Sequence, residues 1–137
     1  MEKATEIRTG RHCVFLMHVH LVFVTKYRRR VFEARHIEYM RGLFARLCSE
    51  LNADMVEMDG EEDHVHILVN YPPKLAVSTL VNALKGTSSR RLRGEFPEIE
   101  RRYYKGVLWS PSYFAGSCGG APLTVIQQYV ENQQTPG

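Results

Sequence analysis

The stretch Asp63-His64-Val65-His66-Ile67-Leu68-Val69 decides the reading of this chain. Histidine alternating with branched aliphatic residues marks a strand. Its side chains point to opposite faces in turn, so His64 and His66 share one face while Val65, Ile67 and Val69 enter a core. Two imidazoles are thereby held side by side on rigid backbone. Immediately upstream, residues 54 to 60 read as a shorter strand and Gly60-Glu61-Glu62 as a turn, which together make a hairpin. Pro72-Pro73 closes the second strand, because proline cannot donate to the ladder.

Working outward, residues 13 to 25 also alternate. Cys13, Phe15, Met17, Val19, Leu21 and Phe23 form one apolar face, and His18 and His20 lie on the other, so the pattern predicts one long strand. Ile37, Met40, Phe44, Leu47 and Leu51 recur at helical spacing and predict an amphipathic helix over about 33 to 51. A second helix is expected over about 75 to 93, carrying Val77, Leu80, Val81, Leu84 and Leu92 inward. Residues 95 to 105 are charged and read as a connection. Gly106 to Ala115 reads as a fourth strand interrupted at Pro111. Gly116, Gly119 and Gly120 suggest a joint before a last helix over 121–134, with Pro122 in its first turn.

The expected order is strand, helix, strand, strand, helix, strand, helix. Right-handed crossovers around a central hairpin give an α+β, ferredoxin-like (RRM-like) split βαβ fold. It has a four-stranded antiparallel sheet with two helices on one face and an extra C-terminal helix. In that topology the first and third strands are neighbours, which should set His18 and His20 beside His64 and His66. Ile126 and Val130 share a helical face with Tyr129 and Gln133, so the last helix should dock on the open face of the sheet.

Composition agrees with one domain over 1–137, residues 1–10 being a loose arm. The 137 residues are 44% hydrophobic, enough to bury roughly 68% of the unfolded surface. Cys13, Cys48 and Cys118 are odd in number and never spaced as a CxxC pair, which fits core thiols in a reducing cytoplasm better than a disulfide framework or a zinc knuckle. No apolar run reaches the length of a membrane span, and residues 1 to 10 are too polar for a signal peptide. The net charge is only +3, but Lys26 to Arg30 carries four basic residues in five, and Asp54 to Asp63 six acidic ones in ten.

The chemistry-bearing residues divide into two groups. Residues four apart stack on one helical face, so the Tyr129 phenol and the Gln133 amide project together. A divalent ion on His64 and His66 could meet both, which is a minimal kit for attacking a phosphodiester. Asp63 abuts the pair and can accept a spare imidazole proton, fixing the tautomer. The same spacing recurs at His18 and His20, so spacing by itself does not separate ligand from structural histidine. These two are expected either to support the site or to fill the sheet face. Neutral imidazoles and an amide bring no charge compensation, and such a site gains strength from an anionic phosphate. The second group is basic. Lys26, Arg28, Arg29 and Arg30 interleaved with Tyr27 suit a phosphate backbone with a stacked base, and Lys85, Ser88, Ser89, Arg90 and Arg91 place cations and hydroxyls on consecutive turns.

With these residues assembled, the chain resembles the single-tyrosine HUH transposases of bacterial and archaeal insertion sequences, the IS200-like type. The resemblance is carried by the blocks 20–28 (His20 to Arg28), Asp63-His64-Val65-His66, 84–90 (Leu84 to Arg90), 108–113 (Leu108 to Tyr113) and Tyr129-Val130-Glu131-Asn132-Gln133, in the family's order. It implies a strand transferase that cuts and rejoins single-stranded DNA at hairpin-forming element ends. His64, His66 and Gln133 would hold Mg²⁺ or Mn²⁺, and Tyr129 would form a 5′-phosphotyrosine link. It also implies a homodimer whose tyrosine helix can complete the partner's site. From ligand chemistry, two histidines suit zinc as readily as magnesium, so the choice of ion rests on the resemblance. The rival readings are a non-enzymatic single-stranded nucleic-acid-binding module, a replication or conjugative nickase, and a decayed transposase that retains end binding.

Overall fold

The computed structural model describes residues 7–10, 14–103, 105–117 and 123–133. Its centre is an antiparallel pair of seven-residue strands, β3 (His18–Val24) and β5 (His64–Asn70), in which Leu21 faces Ile67 and Val22 faces His66. The outer strands are β4 (Asp54–Glu61), which pairs with β5, and β6 (Phe114–Ser117), which pairs with β3. The order β4-β5-β3-β6 is the expected split βαβ sheet.

One face of the sheet is wholly apolar. Leu21, Phe23, Val65, Ile67 and Val69 are fully buried there, beneath α1 (Ala34–Glu50) and α2 (Val77–Glu95), which contribute Met40, Phe44, Leu80 and Leu84. Glu33 caps α1 in a reciprocal box with His36, whose Nδ1 accepts the Glu33 N–H at 2.9 Å. Cys48 is a free thiol buried in this core, and burial pushes it up to about 12, which makes it inert. On the opposite face Val22, Val24 and Val130 form a second, smaller cluster that seats α4 (Leu123–Glu131), as the apolar pattern of that helix requires. Among the described residues no helix is long and apolar enough to cross a membrane.

Several expectations are corrected. The strand foreseen over 13 to 25 is broken at Leu16-Met17, and Val14–Phe15 (β2) leaves the main sheet to pair with Arg8–Thr9 (β1). Residues 8 and 9 of the supposed loose arm are therefore ordered, and Arg8 donates to the carbonyls of Asn52 at 2.9 Å and Asn70 at 3.2 Å. Alternation persists through the break because both halves bury one side, whichever strand they pair with. The hairpin turn is Glu62-Asp63, and Gly60 lies within β4. The charged connection contains a helix, α3 (Pro97–Arg102), opened by proline and tied to α1 by Glu98, 2.9 Å from His36 Nε2. Residues 106 to 113 are not a strand beyond a single bridge from Trp109 to Thr25. Gly116 sits in β6 opposite His20 rather than in a joint. Cys13, Cys118, Gly119, Gly120 and Pro122 lie outside the described residues, and Gln133 lies just past the end of α4.

Gly60 has a packing reason. A Cβ there would stand 2.8 Å from Ile37 Cδ1, 2.9 Å from Val65 Cγ1 and 3.0 Å from the His64 carbonyl. Gly60→Ala should therefore destabilise the protein by about 1–3 kcal/mol through overpacking, read as a lower urea midpoint at unchanged slope.

Candidate functional site

The alternation of β5 sets His64 and His66 on the open face, with ring centroids 6.4 Å apart and planes 29° from parallel. The tight turn before them brings Asp63 back onto His64. Asp63 Oδ1 lies 2.8 Å from His64 Nδ1, and its Oδ2 accepts from Arg28 Nε at 3.2 Å. Burial acts to raise the Asp63 carboxyl, but the bonds and charges of His64 and Arg28 outweigh it and hold the group below its ordinary value. The contact of Asp63 with Nδ1 orients the His64 ring and favours the tautomer with its proton on Nδ1, in which Nε2 serves a ligand. His66 is lowered chiefly by burial and is neutral at pH 7.

A third imidazole joins them: His20 lies 5.7 Å from His66, its pKa lowered by burial and by that neighbour. His18 does not. Antiparallel pairing puts it opposite Asn70, six residues along β5 from His64 or roughly 20 Å. Its Nε2 is buried with no hydrogen-bond partner among the described residues. The residue pattern carries the face of a strand but not its register. Neither does it reveal the acidic rim, in which Asp59 pairs opposite His66 and Glu61 opposite His64. The histidines thus have carboxylates beside them, contrary to the uncompensated set read from the sequence. A cleft of about 870 Å³ opens over the three imidazoles, bounded by Asp63, Glu61, Arg28 and Arg30 and, from α4, by Gln127, Val130 and Glu131.

Val130, 7% exposed, is the foot of α4 on the sheet. At 100° per residue, Gln127 and Glu131 fall on one flank of that foot and Tyr129 and Gln133 on the other. The structure follows this division. Gln127 and Glu131 line the cleft, whereas Tyr129 Oη lies 2.6 Å from Ser112 Oγ with its ring against Phe114. Gln133 Oε1 accepts from Ser110 Oγ at 3.2 Å and Ser112 Oγ at 3.3 Å. Tyr129 and Gln133 are neighbours, as expected from their spacing, but within one chain they face away from the histidines. Burial raises the Tyr129 phenol above its ordinary value, with Ser112 pulling the other way, so it is protonated at neutral pH.

The basic residues separate in the same way. Arg28 and Arg30 border the cleft, and Arg28 Nη1 also donates to the Glu131 carbonyl at 3.4 Å. Lys85, Ser88 and Ser89, expected on nucleic acid, bond within the chain in this structure. Lys85 Nζ donates to the carbonyls of Ser110 at 2.6 Å and Ser112 at 3.2 Å, Ser88 Oγ accepts from Trp109 Nε1 at 2.9 Å, and Ser89 Oγ accepts from the Leu108 N–H at 3.3 Å. They support the segment that holds Tyr129 and Gln133. Arg90 and Arg91 are exposed on the helical layer, on the far side of the sheet from the cleft, where Arg91 bonds Tyr39. The sequence reading missed Ser110, Ser112, Gln127 and Glu131 as site neighbours. The 127/131 spacing was the available signal, and it repeats that of Tyr129 and Gln133.

Comparison with known proteins bears on the family and the fold. Residues 13–133 match the family model described as "Transposase IS200 like". The chain is 30% identical over 128 residues to the ISDra2 transposase TnpA of Deinococcus radiodurans, covering 93% of this chain and 91% of that one. It is 32% identical over 114 residues to the transposase for insertion sequence element IS200 of Salmonella typhimurium, covering 83% of this chain and 74% of that one. A crystal structure of a transposase candidate from Deinococcus radiodurans R1 superposes with a TM-score of 0.86 at 30% identity, over 94% of this chain and 99% of that one. A REP-associated tyrosine transposase bound to a REP hairpin shares the fold more loosely, with a TM-score of 0.53 at 10% identity over 90% of this chain and 68% of that one.

Lys85 is half-buried, and burial lowers its pKa. Lys85→Met should cost about 1.5–3 kcal/mol, because it removes a charged donor from two carbonyls. Faster amide exchange at Ser110, whose N–H bonds Val24 O at 2.8 Å, would mark the loosened segment.

Proposed function

The chain belongs to the IS200-like transposase family, and on that premise we propose that it cleaves and rejoins single-stranded DNA by tyrosine transesterification. The observation that carries this reading is the Asp63–His64 bond at 2.8 Å. It holds one imidazole in a ligand-ready tautomer beside a second, on a cleft bordered by the helix that bears Tyr129.

Each residue then has a task. The Tyr129 oxygen attacks the scissile phosphorus. The new bond is a 5′-phosphotyrosine link, the bond that breaks is that to the 3′ oxygen, and a free 3′-hydroxyl leaves. A second 3′-hydroxyl later attacks the link and releases Tyr129, so phosphodiester energy is retained and no nucleotide cofactor is required. The raised phenol must lose its proton during attack, and its bond to Ser112 must open for it to reach the DNA. Arg28 and Arg30 bind the phosphates entering the cleft, and the acidic rim keeps DNA from seating anywhere but along that basic border.

His64 and His66 suit a divalent cation, since both imidazoles line the cleft side by side. Gln133 suits it as a third donor once its amide oxygen leaves Ser110 and Ser112, supplied by a second copy because within one chain it faces away from the histidines. When bound, Mg²⁺ or Mn²⁺ would supply Lewis-acid polarisation of the scissile phosphate. The opposed flanks of α4 also support a homodimer, in which the tyrosine helix of a second copy reaches these histidines. Hairpin-forming element ends are the proposed substrate and the cytoplasm the proposed compartment. In support, a protein of the same fold is bound to a REP hairpin.

Incubation with labelled single-stranded DNA carrying an element end, with Mg²⁺ or Mn²⁺, should yield a protein–DNA adduct that survives denaturing electrophoresis. Tyr129→Phe and chelation by EDTA should each abolish it. Binding without adduct in the wild type would favour a single-stranded nucleic-acid-binding module instead. Asp63→Asn frees the His64 tautomer and should weaken the metal dependence of adduct formation by about 10–100-fold, measured by Mn²⁺ titration. An unchanged titration would refute that role for Asp63.

A further inference from the structure

The basic run Lys26 to Arg30 is divided by its own backbone. Tyr27 (φ 63°) and Arg28 (φ 55°) both take the left-handed conformation that side chains other than glycine, asparagine and aspartate rarely adopt. The surroundings enforce it. Thr25, fully buried, accepts the Arg28 N–H at 2.8 Å and donates its hydroxyl to Arg29 O at 2.7 Å. On either side, Lys26 donates its N–H to Leu108 O at 2.8 Å and accepts from the Tyr103 hydroxyl at 2.8 Å.

The consequence is a fork. Arg28 and Arg30 face the catalytic cleft, while Lys26, Tyr27 and Arg29 turn to a separate hollow of about 260 Å³, completed by Arg102, Tyr103 and Lys105 from the end of α3. The Arg29 guanidinium stands 5.2 Å from the Tyr27 ring and 5.3 Å from the buried Tyr103 ring, and Lys26 Nζ lies 5.4 Å from Tyr27. The hollow is lined by four cations, and no carboxylate is among its described lining residues. Tyr27 is 37% exposed, an aromatic ring held open to solvent by a constrained backbone.

Clustered cations suit phosphate, and an open ring flanked by cations suits a nucleobase. A base can stack there only if it is unpaired. We propose that this hollow is a second nucleotide subsite, which takes the phosphate and stacked base of one unpaired nucleotide where single-stranded DNA leaves the catalytic cleft around the 26–30 loop. The proposal rests on the transposase reading for the identity of the strand and adds a site to it. Arg102 and Lys105, absent from the residues picked out by sequence, become DNA contacts, while Tyr27 becomes a stacking platform.

The test is the salt dependence of binding of labelled oligothymidylate to the full chain, followed by fluorescence anisotropy. The double variant Arg102→Gln/Lys105→Gln changes two exposed side chains. It should flatten the plot of log affinity against log salt by about 0.7, the contribution of one phosphate contact on a single strand. Tyr27→Asn tolerates the left-handed backbone and should lower affinity by about tenfold at unchanged slope. An unchanged slope in the double variant overturns the subsite. Wild-type affinity in Tyr27→Asn also overturns it, leaving a phosphate track without a base site. Thymidine monophosphate binding as tightly as the oligonucleotide would overturn it in favour of a free-nucleotide site. Loss of the tyrosine adduct in wild type, with the slope result intact, would sink only the transposase reading; an intact adduct with an unchanged slope would sink only the subsite.

Discussion

The pairing of β3 with β5 is the constraint on which the rest depends. Seven residues of each strand lie in register, and both faces of the pair are used. The downward face carries Leu21, Phe23, Val65, Ile67 and Val69, all fully buried. The upward face carries His20, His64 and His66 together with Val22 and Val24, on which Val130 of the last helix stands. Shifting the pairing by one residue would send the imidazoles into the core and the aliphatic residues into the cleft. The same apolar burial that stabilises the sheet therefore fixes the orientation of the site.

A second dependence runs through residues 108 to 112. Leu108 and Trp109 are buried, and Lys85, Ser88 and Ser89 of α2 hold this segment through its carbonyls, the Trp109 ring nitrogen and the Leu108 N–H. Ser110 and Ser112 then hold Gln133, and Ser112 also meets Tyr129. A helix packed beneath the sheet thus governs where the tyrosine on top of it rests. Arg28 touches the other flank of α4 while bonding Asp63, which joins the position of that helix to the histidine pair.

Electrostatics at the cleft follow from partial burial. His20 and His66 both titrate below the ordinary histidine value, chiefly because burial disfavours the charged ring. In the unfolded chain these rings take up protons near about pH 6.5, before they do so in the folded one. Their contribution to stability is thus complete above that pH and declines as pH falls through it. Asp63, held below its ordinary value, keeps its contribution until pH falls further, through its own lowered value. Imidazoles, carboxylates and arginines share one wall, a combination suited to cations and phosphates together.

The strands at 18–24, 54–61 and 64–70, the two long helices and the faces of His64 and His66 were legible in the sequence, because period and burial are written in the order of apolar residues. So was the adjacency of Tyr129 and Gln133, which helical spacing dictates. The helix at 97–102 was hidden by its charge, and the break at Leu16-Met17 by an alternation that does not name its partner strand. Only tertiary structure decided that His20 meets His66 while His18 lies opposite Asn70, roughly 20 Å along the sheet from His64, since register comes from pairing across strands. It alone turned Lys85, Ser88 and Ser89 inward, because a helix pattern ranks burial but cannot assign hydrogen-bond partners. And it alone set Tyr129 and the histidines on opposite flanks of Val130, for that depends on how the last helix is rotated on the sheet, which is fixed by packing on Val22 and Val24.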